Sequence, residues 1–183
     1  MWIALAILIV VVLFIIATYN GLVAGRQKVK NAWSQIDVQL QRRFDLIPNF
    51  VETVKGYMNH EQETFEKIAA LRTSWANATT VDEKAELNNQ LSGTLKTIMA
   101  VSENYPELKA NQNFLDLQEE LRNTGNKISF SRQFYNDSVT MYNTKLELFP
   151  SNIIANMFHF TAEPLFAAES EEAKKNVKVD FNK

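Results

Sequence analysis

The chain has 183 residues, enough for one domain of ordinary size, and a net charge of −2 at pH 7. The lack of cysteine excludes disulfides and thiolate metal sites, and the near-neutral charge gives no reason to expect a nucleic-acid partner. Hydrophobic residues make up 46% of the chain, but they are unevenly spread. Met1 to Gly25 carry no charged side chain, so every charged residue of the chain follows them.

The first predicted element is a transmembrane helix. The run MWIALAILIVVVLFIIA is apolar from Met1 to Ala17, and the uncharged stretch continues to Gly25. At about 1.5 Å per residue, roughly 20 residues of helix cross the hydrocarbon layer of a bilayer. A cleaved signal peptide is the alternative, but it needs a basic start, whereas the apolar run here begins at Trp2. We therefore predict that residues 1–25 are an uncleaved anchor in the lipid bilayer.

The orientation of the anchor follows from the basic residues around it. Arg26, Lys28 and Lys30 come directly after the apolar run. Basic residues that flank a membrane span stay on the cytoplasmic side. The sequence predicts a single-pass membrane protein, with Met1 outside and the large domain in the cytoplasm.

The next predicted element is a long amphipathic helix. Large apolar residues recur at steps of three, four or seven from Val29 to Trp75, which is the helical period. Pro48 removes one N–H from the helix, but the apolar stripe keeps its phase across it. We predict a bent but continuous helix from Val29 to about Trp75.

Two further helices and a short one follow. Thr80 and Glu83 have the spacing of a capping box for a second helix that ends before Pro106. A third helix is predicted over residues 114–149, and Ser151 is placed to cap a short final helix. The predicted fold is all-α: an N-terminal transmembrane helix, then an elongated antiparallel bundle of three long helices and a short C-terminal helix.

The predicted domains are an anchor at residues 1–25, a helical bundle at 26–167 and a flexible charged tail at 168–183. Within the tail, VKVDF alternates at the strand period, so it could instead pair with the edge of a partner's sheet. Three alternating helices would leave Phe149 and the phenylalanine-rich segment after it at the end of the bundle far from the membrane.

Catalytic and metal motifs are missing from the sequence. His60 and His159 are the two histidines, and neither follows a glutamate by three positions as in di-metal helical bundles. His60-Glu61 begins like the zinc-protease motif, but Thr64 stands where the second histidine would be. No Gly-x-Ser-x-Gly elbow and no glycine-rich phosphate loop occurs. We therefore predict no catalytic residue, metal, cofactor or small-molecule substrate.

The first bundle helix has a second face opposite its core stripe. This face is composed of large apolar or hydrogen-bonding side chains, where a solvated face would carry Glu and Lys. Either the chain covers this face itself, or a partner does. The residues predicted to form a partner interface are Gln39, Arg42, Arg43, Asp45, Leu46, Asn49, Tyr57 and His60.

The third helix also has a second apolar stripe, which consists of Phe130, Phe134, Met141 and Leu148. The phenylalanine-rich segment is close in sequence and itself needs burial. The favoured interpretation is therefore that this segment covers the stripe within the chain.

Two long blocks resemble the LemA family. They are YNGLVAGRQKVKNAWSQIDVQLQRRFDLIPNFVETVKGYMNHE and NFLDLQEELRNTGNKISFSRQFYNDSVTMYNTKLELFPSNIIANMF. Gly125 departs from the acidic residue, and His159 from the glycine, that the family usually has there. The resemblance implies a membrane-anchored helical bundle without a known enzymatic activity. It also implies an association with membrane organisation and with a membrane metalloprotease.

The predicted function is a non-enzymatic scaffold or adaptor that acts through helix faces, by self-association or by holding a membrane protein partner. One alternative is an enzyme or small-molecule binder with a polar pocket around His60 and Glu61. A second alternative is a membrane-remodelling protein. That role needs a basic and apolar helix lying in the interface, and the basic cluster at residues 26–30 is the one candidate in the sequence.

Overall fold

The structure is a computed structural model, and it describes residues 1–58 and 61–166. The described residues form helices and no strand, which confirms the predicted all-α class. His60 and the predicted tail with VKVDF lie outside the described residues. The helices are α1 (Trp2–Lys55), α2 (Gln62–Asn77), α3 (Val81–Ser102), α4 (Pro106–Lys109), α5 (Gln112–Glu147) and α6 (Ser151–Met157).

The long first helix is continuous through Pro48, as predicted, but its predicted extension to Trp75 is wrong. It ends at Lys55, and a separate helix, α2, begins at Gln62. The amide groups of Tyr57 and Met58 both bond to the carbonyl of Val54, so the regular ladder stops there. Apolar periodicity gave no sign of this break, because α2 continues the apolar spacing with its own buried residues.

The capping box that opens α3 is confirmed. The Thr80 hydroxyl accepts from the Glu83 amide at 3.2 Å, and the Glu83 carboxylate accepts from the Thr80 amide at 2.9 Å. Hydrogen bonds from the backbone of Thr80 and then of Thr79 lower the pKa of the Glu83 carboxyl. The short α4 then lies between the second and third predicted helices, with Pro106 in its first turn.

The residues separate into two compact units. The first unit is residues 1–38 with 128–165, and the second is residues 39–127 with Phe166 of the described chain. Both α1 and α5 therefore contribute to each unit. The predicted domain limits at residues 25 and 167 stay a prediction.

The core of the second unit is built on the apolar stripe of α1. The Phe44 ring stacks on Trp75 of α2 with centroids 4.2 Å apart, and Phe50 lies 5.9 Å from Phe114 of α5. These side chains are almost fully buried, and burial of each contributes about 1.5–3 kcal/mol. The Trp75 indole donates to the Gln41 side chain at 3.2 Å, which satisfies the polar atom of this buried ring.

In the first unit, α1 and α5 run antiparallel. Trp33 lies beside Tyr135, with ring centroids 5.7 Å apart, and Gly25 lies beside Tyr142. A Cβ at Gly25 would be 3.2 Å from Tyr142 Cδ2, so glycine allows this close approach. Burial raises the pKa of Tyr142, while the positive charge of Arg26 opposes the rise.

The segment after α6 is tied back to α5. The Tyr135 hydroxyl donates to the Pro164 carbonyl at 2.7 Å. The Asn143 amide donates to the Glu163 carbonyl at 2.9 Å and accepts from the Glu163 amide at 3.0 Å. One side chain therefore satisfies both backbone groups of Glu163, as a neighbouring strand would.

Ser151 does not cap α6 as predicted. The helix begins at Ser151 itself, and the residue in the capping position is Pro150. The Ser151 hydroxyl contacts the Lys145 and Leu148 carbonyls, at 2.6 Å and 2.8 Å. It therefore bonds to carbonyl groups near the end of α5 rather than to amides at the start of α6.

The predicted position of the phenylalanine-rich segment, far from the anchor, is wrong. The Phe158 and Phe160 rings pack against Tyr19 of α1, with centroid distances of 4.8 Å and 5.7 Å. Arg26 lies over the Phe160 ring at 5.1 Å. The cause is the unpredicted break after Lys55: α2 returns along α1 as a separate helix, which adds one reversal and brings the end of α5 back to the anchor.

Candidate interaction surfaces

The predicted partner face of α1 lies in the second unit and is partly engaged by the chain itself. Arg42 Nη2 forms a salt bridge of 2.5 Å with Glu120 Oε1 of α5, and Asp45 accepts from the Gln41 amide at 2.8 Å. Both contacts are near solvent, where an ion pair contributes at most about 1 kcal/mol. Arg42, Asp45 and Asn49 of this face are exposed, and Leu46 is half-buried.

Arg43 differs from its neighbour Arg42 because its side chain is buried, with 7% of its surface exposed. Its Nη1 donates to Asn88 Oδ1 at 2.5 Å and to Ser92 Oγ at 3.0 Å, both on α3. Arg43 therefore joins α1 to α3 inside the unit and does not lie on the surface that the exposed candidates form.

The sequence contained a signal for this burial. Arg43 comes three residues after Leu40 and four before Ile47, and both of these are fully buried. Residues at those spacings share one helix face, so Arg43 has the phase of the core stripe.

The remaining candidates are spread along the helix and beyond its end. Gln39 is half-buried, and in the described part of the chain its Oε1 is buried without a hydrogen-bond partner. The Tyr57 hydroxyl accepts from the Asn111 amide at 3.0 Å. His60 lies outside the described residues. As a partner interface, the whole set stays a prediction.

A second candidate surface lies on α5 in the first unit. Phe130, Phe134 and Met141 are 79%, 44% and 56% exposed. The expectation that segment 158–160 covers this stripe is wrong, because that segment packs on α1. Lys28 Nζ lies 5.5 Å from the Phe134 ring centre. Even with this contact, the three side chains of the stripe stay exposed.

The third surface is the apolar N-terminal part of α1, the predicted anchor. In residues 1–58 and 61–166, α1 is the one helix long and apolar enough to cross a membrane. Its most apolar window has a mean hydropathy of 2.9 and no buried residue. The large apolar side chains from Met1 to Val12 are all exposed, so the described residues do not bury this segment.

A family model described as the LemA family matches residues 32–181. The chain belongs to the LemA family. It is also similar to Protein LemA of Metamycoplasma hominis, with 28% identity over 155 residues, which are 84% of this chain and 70% of that relative. The family match begins at Ala32 and so includes the α1 face and the α5 stripe. The family name carries no catalytic activity.

This LemA-family chain has an open depression beside the break between α1 and α2. It lies next to the polar pocket that the alternative function predicted around His60 and Glu61. Its volume is about 470 Å³, within the size range of ligand sites. The Gln62 amide donates to the Glu66 carboxylate there, so these polar groups are paired with each other. Among the described residues, no group of His, Asp or Glu could hold a metal ion. The lining residues are Lys55, Met58, Gln62, Phe65, Glu66 and Ala69.

His159, where the family usually has glycine, adopts a left-handed backbone conformation at the end of α6. The Phe160 amide bonds to the Ala155 carbonyl at 2.9 Å, and the His159 amide to the Asn156 carbonyl at 3.3 Å. These two bonds form the helix-ending Schellman motif, with His159 at the position that adopts a left-handed backbone. Its φ is 56°, a conformation that favours glycine.

Proposed function

We propose that this protein is a membrane-anchored, non-enzymatic scaffold that acts through contacts between helix faces. The observation that supports it best is the uncovered stripe of Phe130, Phe134 and Met141 on α5. Apolar side chains of this size at helical spacing mark a protein contact when the chain does not cover them itself. At about 100° per residue, the three lie within roughly 40° of one another around the helix.

A second copy of the same chain is the partner that the geometry favours. An anchor in the bilayer holds every copy at the same depth and in the same orientation. The stripe of one copy then meets the same residues of the next, which is the condition for a symmetric contact between identical surfaces. A different membrane protein is the alternative partner. The surface that we assign to it consists of the exposed α1 residues Arg42, Asp45 and Asn49 with the half-buried Leu46.

The proposed location is the inner membrane, with the anchor at residues 1–25 and the helical domain in the cytoplasm. The apolar part of α1 supports the anchor, and Arg26, Lys28 and Lys30 directly after it support the orientation. Lys28 and Lys30 are exposed and therefore free to contact lipid headgroups on that side.

The test is a pair of charge insertions on α5 in the full-length protein. Phe130→Glu with Met141→Glu places two carboxylates in the middle of the proposed contact, where burial without a partner is unfavourable. The control, Gln133→Glu with Thr140→Glu, adds the same charges at exposed positions roughly 90° away around the helix. Native-mass measurement in lipid nanodiscs gives the number of copies.

The first variant is expected to be monomeric, while the control and the parent protein assemble. All three should unfold at similar temperatures, because exposed substitutions change stability by less than about 0.5 kcal/mol. A parent protein that is already monomeric, or a first variant that assembles like the control, would exclude this contact.

A further inference from the structure

The corner between α5 and α6 has an apolar outer surface. Leu148 and Phe149 in the turn are 56% and 79% exposed, and Ile153 and Met157 of α6 are 51% and 57% exposed. From Leu148 to Ala162 the sequence contains no Asp, Glu, Lys or Arg. An uncharged segment with four large apolar side chains pointing outward is unusual for a surface in water.

The inner side of the same corner packs on the anchor helix. Ile154 and Ala155 of α6 form a buried cluster with Leu22 of α1, and Ile15 lies against this cluster. The α6 helix therefore has two apolar sides, one against α1 and one open. Its open side continues the exposed apolar surface of the anchor.

The helix register gives the level of the corner along the anchor. Trp33 lies beside Tyr135, and about two turns nearer the N-terminus Gly25 lies beside Tyr142. A further two turns bring Phe149 to about the level of residue 17 or 18 of α1. This agrees with the packing of Phe158 on Tyr19.

This level falls inside the bilayer. Beginning at Trp2, about 20 residues of α1 cross the ~30 Å hydrocarbon layer, which then ends near Gly21. The corner lies a few residues before that limit. Helices that lie in the membrane interface bury their apolar face by about 5–10 Å, which matches this depth.

We propose that the α5–α6 corner is inserted into the same lipid leaflet as the end of the anchor. Leu148, Phe149, Ile153 and Met157 contact acyl chains, so the protein enters the bilayer by a second element besides the transmembrane helix. Lys145, about one turn before the corner, lies at the level of the lipid headgroups. The inference rests on the anchor of the proposed function but not on self-association through α5.

Lipid is the occupant that the surroundings favour. The corner is continuous with the anchor's exposed apolar surface. The last charged residues of α5, Lys145 and Glu147, precede the corner, and the next 15 residues carry no Asp, Glu, Lys or Arg. Arg26, the first charged residue after the anchor, lies over the Phe160 ring. Charges thus lie toward the headgroups and apolar side chains toward the acyl chains, which is the distribution of an interfacial helix.

The experiment uses spin labels, since the protein has no cysteine of its own. Single variants Ile153→Cys and Met157→Cys are labelled in the full-length protein in vesicles of phosphatidylcholine with a minority of phosphatidylglycerol. Two further variants provide references: Val10→Cys in the anchor and Gln133→Cys, exposed on α5 about 22 Å beyond the corner. The readout is the ratio of collisions with oxygen, which concentrates in hydrocarbon, to collisions with a water-soluble nickel chelate.

We expect the ratio at Ile153 and Met157 to exceed that at Gln133 several-fold and to approach that at Val10. A ratio equal to that at Gln133 would place the corner in water and overturn the proposal. Few collisions with either reagent would show that protein covers the corner, which also overturns it. A label at Val10 that gives the same ratio as Gln133 would show that residues 1–25 are not in the bilayer, which contradicts the proposed function. A high ratio at Val10 with a low ratio at Ile153 and Met157 would contradict the inserted corner alone.

Discussion

Arg43 of α1 lies directly against Gly125 of α5 in the second unit: a Cβ at Gly125 would be 3.8 Å from Arg43 Nη2. The guanidinium is buried and bonded to Asn88 and Ser92. The resemblance to the LemA family implies an acidic residue at position 125. That residue would stand beside this cation, so the departure at Gly125 removes a carboxylate from a buried positive charge.

Restoring the carboxylate should therefore stabilise the second unit. We expect Gly125→Asp to raise the free energy of unfolding by about 1–2 kcal/mol at neutral pH, from a charge-assisted hydrogen bond and from the loss of glycine inside a helix. Arg43 would hold the folded pKa of the new carboxyl below its unfolded value. The gain is then present above the unfolded pKa and lost as the pH falls through the folded pKa.

Two control variants separate the charge from the backbone effect. Gly93→Asp introduces the same residue in α3, where a Cβ meets nothing within 4 Å. Gly125→Asn has nearly the same shape without the charge. Urea unfolding of the three variants decides the matter: if Gly125→Asn stabilises as much as Gly125→Asp, pairing with Arg43 plays no part.

The adjacent arginines should differ in their contribution to stability. Arg43→Met leaves Asn88, which is 1% exposed, without its bond to the guanidinium, and we expect a loss of about 2–4 kcal/mol. Arg42→Met removes an exposed ion pair with Glu120 and should cost less than about 1 kcal/mol. Chemical denaturation of both variants under one condition gives the comparison. Equal losses would contradict the structural role assigned to Arg43.

The left-handed residue at the end of α6 offers a stabilising substitution. His159→Gly should raise stability by about 1 kcal/mol, because a residue with a Cβ is strained at this φ and glycine is not. His159→Ala keeps the Cβ and removes the imidazole, so it is the matched control and should give little gain. Thermal unfolding in detergent measures both. A gain from alanine as large as that from glycine would show that the imidazole, and not the backbone, is unfavourable.

The start of α3 should contribute a pH dependence. Hydrogen bonds from the backbone of Thr80 and Thr79 lower the pKa of Glu83 below its ordinary value. A carboxyl with a depressed folded pKa stabilises the fold above its unfolded pKa, and this contribution is lost as the pH falls through the folded pKa. The unfolding temperatures of the parent protein and Glu83→Gln should therefore differ at neutral pH and converge in acid. A constant difference across the range would contradict a titrating cap.

The orientation of the domain can be tested in intact cells. Asn104 is exposed in the turn after α3, so a cysteine there is accessible wherever the domain lies. With the domain in the cytoplasm, Asn104→Cys should resist an impermeant thiol reagent until the cells are lysed. A cysteine inserted directly after Met1, on the opposite side of the proposed span, should react before lysis. The reverse pattern would place the domain outside.

Local patterns in the sequence predicted local structure well. The Thr80–Glu83 spacing gave the start of α3, and the constant apolar phase gave the continuity of α1 across Pro48. Each of these rests on residues within one or two turns of each other. Neither depends on what the rest of the chain does.

The features that the sequence did not predict depend on residues distant in the chain. The break after Lys55 conflicts with no apolar spacing, yet it changes the direction of every later helix. Arg43 is buried because Asn88 and Ser92 accept its hydrogen bonds, and both lie more than 40 positions away. The phenylalanine-rich segment packs on Tyr19, which is far away in the chain. Because Tyr19 lies in the uncharged N-terminal stretch that was assigned to the bilayer, the sequence offered no reason to pair the two.

The helix α1 passes from the anchor to Trp33 without a loop, while α5 packs along it at both Gly25 and Trp33. The number of residues between membrane and domain is therefore fixed by geometry. One residue inserted after Arg26 would rotate the anchor by about 100° and move it by about 1.5 Å, which would turn Leu22 away from Ile154. Seven inserted residues would nearly restore the rotation but would lift the corner by about 10 Å. In this part of the chain, a change of length would therefore disturb the packing more than the exchange of an exposed side chain.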